Sequence, residues 1–185
     1  AVIFLPPPVQ PMIGSPAPFY IGPNTEIEVC MSTTGHEYIE DLGFYLRTPD
    51  EQLLTLKRGV LETDFFSPPC FNFFGNGNTN NLCFTTELPL ADTLDLCTEP
   101  LPLSGNFAAT GNWTMLYGMN PAECVGALAI NDTADFGTSG TDGQITNVTI
   151  TFIDEAIATG LLTSVNYVSG AISEPIRDDR MNLVT

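Results

Sequence analysis

A chain of 185 residues, 43% of them hydrophobic, is long enough to build one domain around a real core. Its 22 Asp and Glu stand against five Lys and Arg, a formal charge of −17, so it lacks the clustered cations that nucleic acid or an anionic membrane surface requires. No apolar run approaches the roughly 18 residues of a membrane-inserting helix, and bound Ca2+, which favours carboxylate and carbonyl oxygens, is the cofactor that would relieve so much negative charge.

Residues 1–23 carry Pro6, Pro7, Pro8, Pro11, Pro16, Pro18 and Pro23. Proline donates no ladder hydrogen bond, so this stretch reads as an extended arm or linker. Ala1 to Leu5 ahead of it is apolar and β-prone. It is read as a strand for its own sheet, a strand donated to a neighbour, or a terminus without a partner. It lacks the positive flank of a signal peptide, and with no initiator Met the chain reads as a mature or excised product.

From Thr25 the pattern turns to strands and turns. Glu26 to Met31 alternates polar and apolar, as a half-buried strand does. Leu42 to Arg47 and Gln52 to Leu56 flank Thr48-Pro49-Asp50-Glu51, which predicts a hairpin with Pro at its favoured turn position. Phe71 to Cys83 encloses a polar loop, Gly75 to Asn81, and Cys83 to Thr86 follows as a short strand. Asn112 to Tyr117 alternates in part and is read as a strand, with Trp113 on its core face. Leu128 to Ile130 is a short apolar run, and Asp135 to Asp142 is a loop of Gly, Thr and Asp. Gln144 to Ile153 alternates most cleanly, with one slip near Asn147 that suggests a bulge. Asp154 to Thr163 is read as a turn or two of helix, weakened by Gly160. Ser164 to Ser169 is another strand before a polar tail. Many short strands with Gly, Pro and Asn turns indicate an all-β, jelly-roll-like β-sandwich spanning residues 24–153, with residues 154–185 as an extension or the start of a next module.

Five cysteines occur without a CxxC pair or a Cys/His cluster, which argues against zinc. Cys70 with Cys83 and Cys97 with Cys124 close short loops and are the first-choice disulfides, leaving Cys30 as a free thiol; the spacing leaves other pairings open. Asn112, Asn131 and Asn147 each begin an Asn-x-Thr sequon, a surface glycan site in a secreted eukaryotic protein.

Three stretches resemble one family. His36 to Pro49, with Asp41-Leu42 and Leu46-Arg47-Thr48-Pro49, is similar to the "H-x-x-x-x-D-L-x-x-x-L-x-S-P" stretch of the P domain, the jelly-roll sandwich that follows the catalytic domain of subtilisin-like proprotein convertases. Asn72 to Thr79 looks like its polar loop. Gly111-Asn112-Trp113-Thr114-Met115 with Gly143 to Phe152 resembles its closing "G-x-W-x-L … G-x-L-x-x-W-x-L-x-F". The chain departs from the pattern at Met119, where the family often has an acid, and at Val148, which replaces the second Trp. P-domain-like modules detached from any protease occur in large surface proteins of gliding bacteria. The exit Phe152 to Glu155 and Val165 to Pro175 is similar to that setting.

The resemblance implies a carboxylate near Ca2+ at Asp41. Independently, Asn76 and Asn78 offer amide oxygens on alternate residues, and Asp132, Asp135 and Asp142 sit in a Gly-rich loop able to wrap a cation. The competing explanation is that Asn and Asp are ordinary turn residues. No catalytic residue emerges. His36 is the sole histidine, reads as structural, and no G-x-S-x-G elbow accompanies any serine. The expected function is a non-catalytic, extracellular or cell-surface module for adhesion or assembly, partnered by protein subunits or neighbouring modules. The alternatives are a carbohydrate-binding module, for which Phe65-Phe66 and Phe73-Phe74 are the exposed-aromatic candidates, and a P domain that stabilises a secreted protease. An acid-pair hydrolase is a remoter class.

Overall fold

The computed structural model describes residues 2–3, 20–36, 39, 42–48, 50–59, 78–89, 92–96, 99–121, 127–132, 143–156, 161–168 and 174–176. Within them lie ten strands: β1 (Val2–Ile3), β2 (Thr25–Thr34), β3 (Leu42–Arg47), β4 (Leu53–Lys57), β5 (Thr79–Thr85), β6 (Leu103–Ala108), β7 (Ala127–Asp132), β8 (Gln144–Ala156), β9 (Leu161–Val168) and β10 (Glu174–Pro175). They form a four-stranded sheet, order β1-β7-β3-β4, and a six-stranded sheet, order β10-β8-β2-β5-β6 with β9 also on β8. The chain is an all-β sandwich.

β2 is the spine of the larger sheet. Its alternate residues Thr25, Ile27, Val29, Met31 and Thr33 are buried, while Glu26, Glu28 and Ser32 are half-buried on the other face, the period of two that a pleated strand imposes. β8 pairs antiparallel with β2 from Thr25↔Asp154 to Thr34↔Gln144. The slip read near Asn147 is a bulge: Ser32 faces Asn147 but Thr33 faces Ile145, leaving Thr146 as the extra residue. β5 pairs antiparallel with the opposite edge of β2, and β6 then runs parallel to β5, where a jelly roll is antiparallel throughout. β9 and β10 share the far edge of β8 and so belong to the same sheet.

The two sheets close over one core. Phe44, Leu46, Leu54 and Leu56 of the smaller sheet meet Ile27, Met31, Phe84 and Phe152 of the larger one in a single buried cluster. The Phe44 and Phe84 rings sit 6.4 Å apart at 42°, a tilted arrangement that aromatic quadrupoles favour. Burying each such side chain contributes about 1.5–3 kcal/mol, which is why these positions specify the fold.

The hairpin between β3 and β4 forms as read: Glu51 N donates to Thr48 O and Thr48 N to Gln52 O, closing it, and Arg47 pairs with Glu51 across it at 3.0 Å. Of the apolar N-terminus Val2 and Ile3 are described, and in this chain β1 pairs with β7 of its own sheet, Val2↔Ala129 and Ile3↔Leu128.

Two elements differ from expectation. Asn112 to Tyr117 is a 3-10 turn over Trp113–Leu116, because Asn112 Oδ1 accepts from Thr114 N and caps it. Trp113 packs half-buried against the core from that turn. Asp154 to Thr163 holds no described helix: β8 continues to Ala156, and β9 begins at Leu161 opposite it. Gly160 weakens a helix over this segment, and the β8–β9 pairing takes its two ends instead.

Candidate functional site

The chemistry-bearing side chains gather on the outer face of the larger sheet. Glu26, Glu28 and Cys30 lie on alternate positions of β2 and so share that face. Cys30 is the register partner of Cys83 on β5, and the two form a disulfide with Cα atoms 4.0 Å apart. This overturns the Cys70–Cys83 pairing and the free thiol at Cys30. Short loop closure favoured Cys70, whereas strand register decides the partner and places Cys30 opposite Cys83. Cys97 and Cys124, the other expected pair, lie outside the described residues.

The neighbours on that face are polar. Register sets Thr85 and Thr151 on either side of Glu28, and Thr149 beside Cys30. Cys30 and Cys83 are 4% and 1% exposed, yet neither is part of the contiguous hydrophobic cluster. Burial, reinforced by the charges of Glu87 and Glu28 and a hydrogen bond with Glu87, pushes the Glu26 carboxyl above its ordinary value. The donor atoms of Glu28, Cys30 and Cys83 all lie within 4.8 Å of one another.

A second polar centre organises the entry to β3. Lys57 is 6% exposed. Its Nζ donates to the backbone oxygens of Leu42 at 2.7 Å, Ile39 at 3.2 Å and Arg58 at 3.3 Å. A register shift between Phe44 and Tyr45 lets Leu56 and Lys57 both turn inward. Two of its three acceptors, the Ile39 and Leu42 carbonyls, flank in sequence Asp41, the position where the resemblance implied calcium.

Of the six residues read as calcium ligands, Asp41, Asn76, Asp135 and Asp142 lie outside the described residues. Asn78 Oδ1 accepts from Gly35 N at 2.7 Å, which fixes the start of β5 to the end of β2. The backbone of Asp132 ends β7 opposite Leu42. His36 is buried, and its backbone lies against Gly143. Phe65-Phe66 and Phe73-Phe74 also lie outside the described residues; the exposed large hydrophobic residues among those described are Tyr20, 64% exposed, and Tyr117, 41% exposed.

No family model, no curated protein and no solved structure matches this chain.

Sequence reasoning passed over Glu26, Glu28 and Lys57. The first two had a signal in the alternation Glu26-x-Glu28-x-Cys30, which puts two carboxylates and a sulfur on one face. Cys83 and Lys57 had none, because register and a bulge place them.

Proposed function

We propose that this chain is a non-catalytic, P-domain-like structural or adhesion module of an extracellular surface or filament-forming protein. The observation that carries the reading is β1. A two-residue strand completes the edge of the smaller sheet, and a proline-rich stretch follows it in sequence. Such an edge strand joins by backbone hydrogen bonds, a contact that the same segment of an adjoining copy or module can make equally well. The disulfide favours an oxidising compartment. Among the described residues no helix is long and apolar enough to cross a membrane.

The test compares the full chain with one lacking residues 1–5 by analytical ultracentrifugation. Assembly lost on truncation, with the sandwich intact by circular dichroism, supports the reading. An unchanged oligomer removes strand addition as its mechanism. Calcium stabilisation belongs to the same proposal and predicts a melting temperature that climbs with added Ca2+.

A carbohydrate-binding role is the second reading, favoured by Tyr20 and Tyr117. Backbone bonds from Gly118 N to Ile21 O and from Ile21 N to Met119 O tie their two segments together. It predicts glycan-array binding that disappears in Tyr20→Ala/Tyr117→Ala.

A further inference from the structure

We propose that reduction of the Cys30–Cys83 disulfide converts the outer face of the β2–β5 pair into a binding site for a thiophilic divalent cation, with Glu28 as the third ligand. The inference stands apart from the assembly reading. While the disulfide is closed, its sulfurs carry no thiolate and the site is shut. A dithiol reductant opens it. Two electrons and two protons pass to the sulfurs, the S–S bond breaks, and the reductant leaves as its own disulfide. Uptake of the cation then forms two metal–sulfur bonds and releases both thiol protons to water.

Three features of the face favour this. The donors are preorganised: strand register sets Cys30 opposite Cys83, and Glu28 lies two residues along the same face, with all three donor atoms within 4.8 Å. Two sulfurs bound to one tetrahedral zinc sit about 3.8 Å apart, at metal–sulfur lengths near 2.3 Å. That separation suits side chains whose Cα atoms are 4.0 Å apart. The donor set is soft: two thiolates and one carboxylate select Zn2+ over Ca2+, and the fourth position remains for water. The face is also acidic, because Glu26 lies two residues from Glu28 on the same face of β2, and that charge attracts a divalent cation.

The test uses the full chain and Co2+ as the spectroscopic probe for zinc. The chain is reduced with a dithiol, freed of reductant anaerobically, shown to be folded by near-ultraviolet circular dichroism, and titrated. The expected result is thiolate-to-cobalt charge transfer saturating at one equivalent, bleached by Zn2+ and absent from the oxidised chain. Cys30→Ser abolishes the band. Glu28→Gln keeps the sulfur signature but weakens binding by about tenfold or more, since even groups outside the ligand set act on that scale. A chain with Cys70, Cys97 and Cys124 all changed to Ser retains the band, which excludes those sulfurs as its source. No charge transfer in the folded, reduced chain overturns the proposal, as does a band that survives Cys30→Ser or is lost with the other three cysteines.

Discussion

Replacing Lys57 by Met keeps the length of the side chain and deletes its ammonium. Three backbone oxygens, those of Ile39, Leu42 and Arg58, then lose a charged donor. A buried acceptor left without its partner costs about 1–3 kcal/mol, and bonds to charged groups lie at the upper end of the range. Against this, Met spares the desolvation of an ammonium that is only 6% exposed and regains some apolar burial. The balance is a loss of about 2–4 kcal/mol. In a chain of this size that lowers the melting temperature by roughly 5–15 °C. Urea unfolding reads it directly as a lower midpoint at unchanged slope. A Met variant within about 0.5 kcal/mol of the parent, the range of ordinary surface changes, would refute the structural role of the ammonium.

Other perturbations probe separate parts of the fold. Cys30→Ala/Cys83→Ala removes a cross-link between residues 53 apart, which by loop entropy costs about 4 kcal/mol; an unfolding midpoint equal to that of the oxidised parent would show that the bond does not form. Gly143 has φ +70°, and a Cβ there would lie 2.8 Å from His36 N, so Gly143→Ala should cost about 1–3 kcal/mol by calorimetry; a neutral outcome would mean that the two backbones are not in contact. Glu26 binds its proton more readily folded than unfolded, so its ionisation opposes folding at neutral pH. The penalty fades as pH falls through its raised value and is gone below the ordinary 4.5. Glu26→Gln should therefore stabilise the oxidised chain at neutral pH and lose that advantage on acidification, and equal midpoints at both ends would contradict the assignment.

The parts of the fold legible in the sequence were those fixed by local pattern. Alternation along Glu26 to Met31 and Gln144 to Ile153 marked the two central strands of the larger sheet, and Pro49 marked the hairpin. What stayed hidden depends on one strand's position against another. Cys83 has three nearer or comparably spaced partners in sequence, yet the β2–β5 register puts Cys30 opposite it. Lys57 follows the strand read over Gln52 to Leu56 and carries no signal of burial; a one-residue bulge turns it inward. Asn112 to Tyr117 alternates as a strand would, but the Asn112 cap commits it to a 3-10 turn. The candidate site divides the same way, with Glu28 and Cys30 readable from their spacing and Cys83 reachable only through the fold.

If the dithiol form alone binds a cation, metal and reduction are linked, and the disulfide's stability becomes a function of metal concentration. A ligand present at 100 times its dissociation constant stabilises the form that binds it by about 2.7 kcal/mol. For a two-electron couple this raises the midpoint potential by about 60 mV. Redox titration of Cys30–Cys83 with and without Zn2+ should show that displacement, reduced in Glu28→Gln, because the carboxylate contributes to the bound state and takes no part in the electron transfer. The neighbouring carboxylate acts in the same direction. Without metal, Glu28, whose carboxylate oxygen lies within 4.8 Å of both sulfurs, places negative charge beside any thiolate formed there, which disfavours the thiolate and slows attack by an anionic reductant. A cation removes both obstacles. The midpoint potential should therefore begin to rise at a lower Zn2+ concentration in the parent than in Glu28→Gln, and a potential that does not respond to Zn2+ in either would separate the disulfide from any metal chemistry.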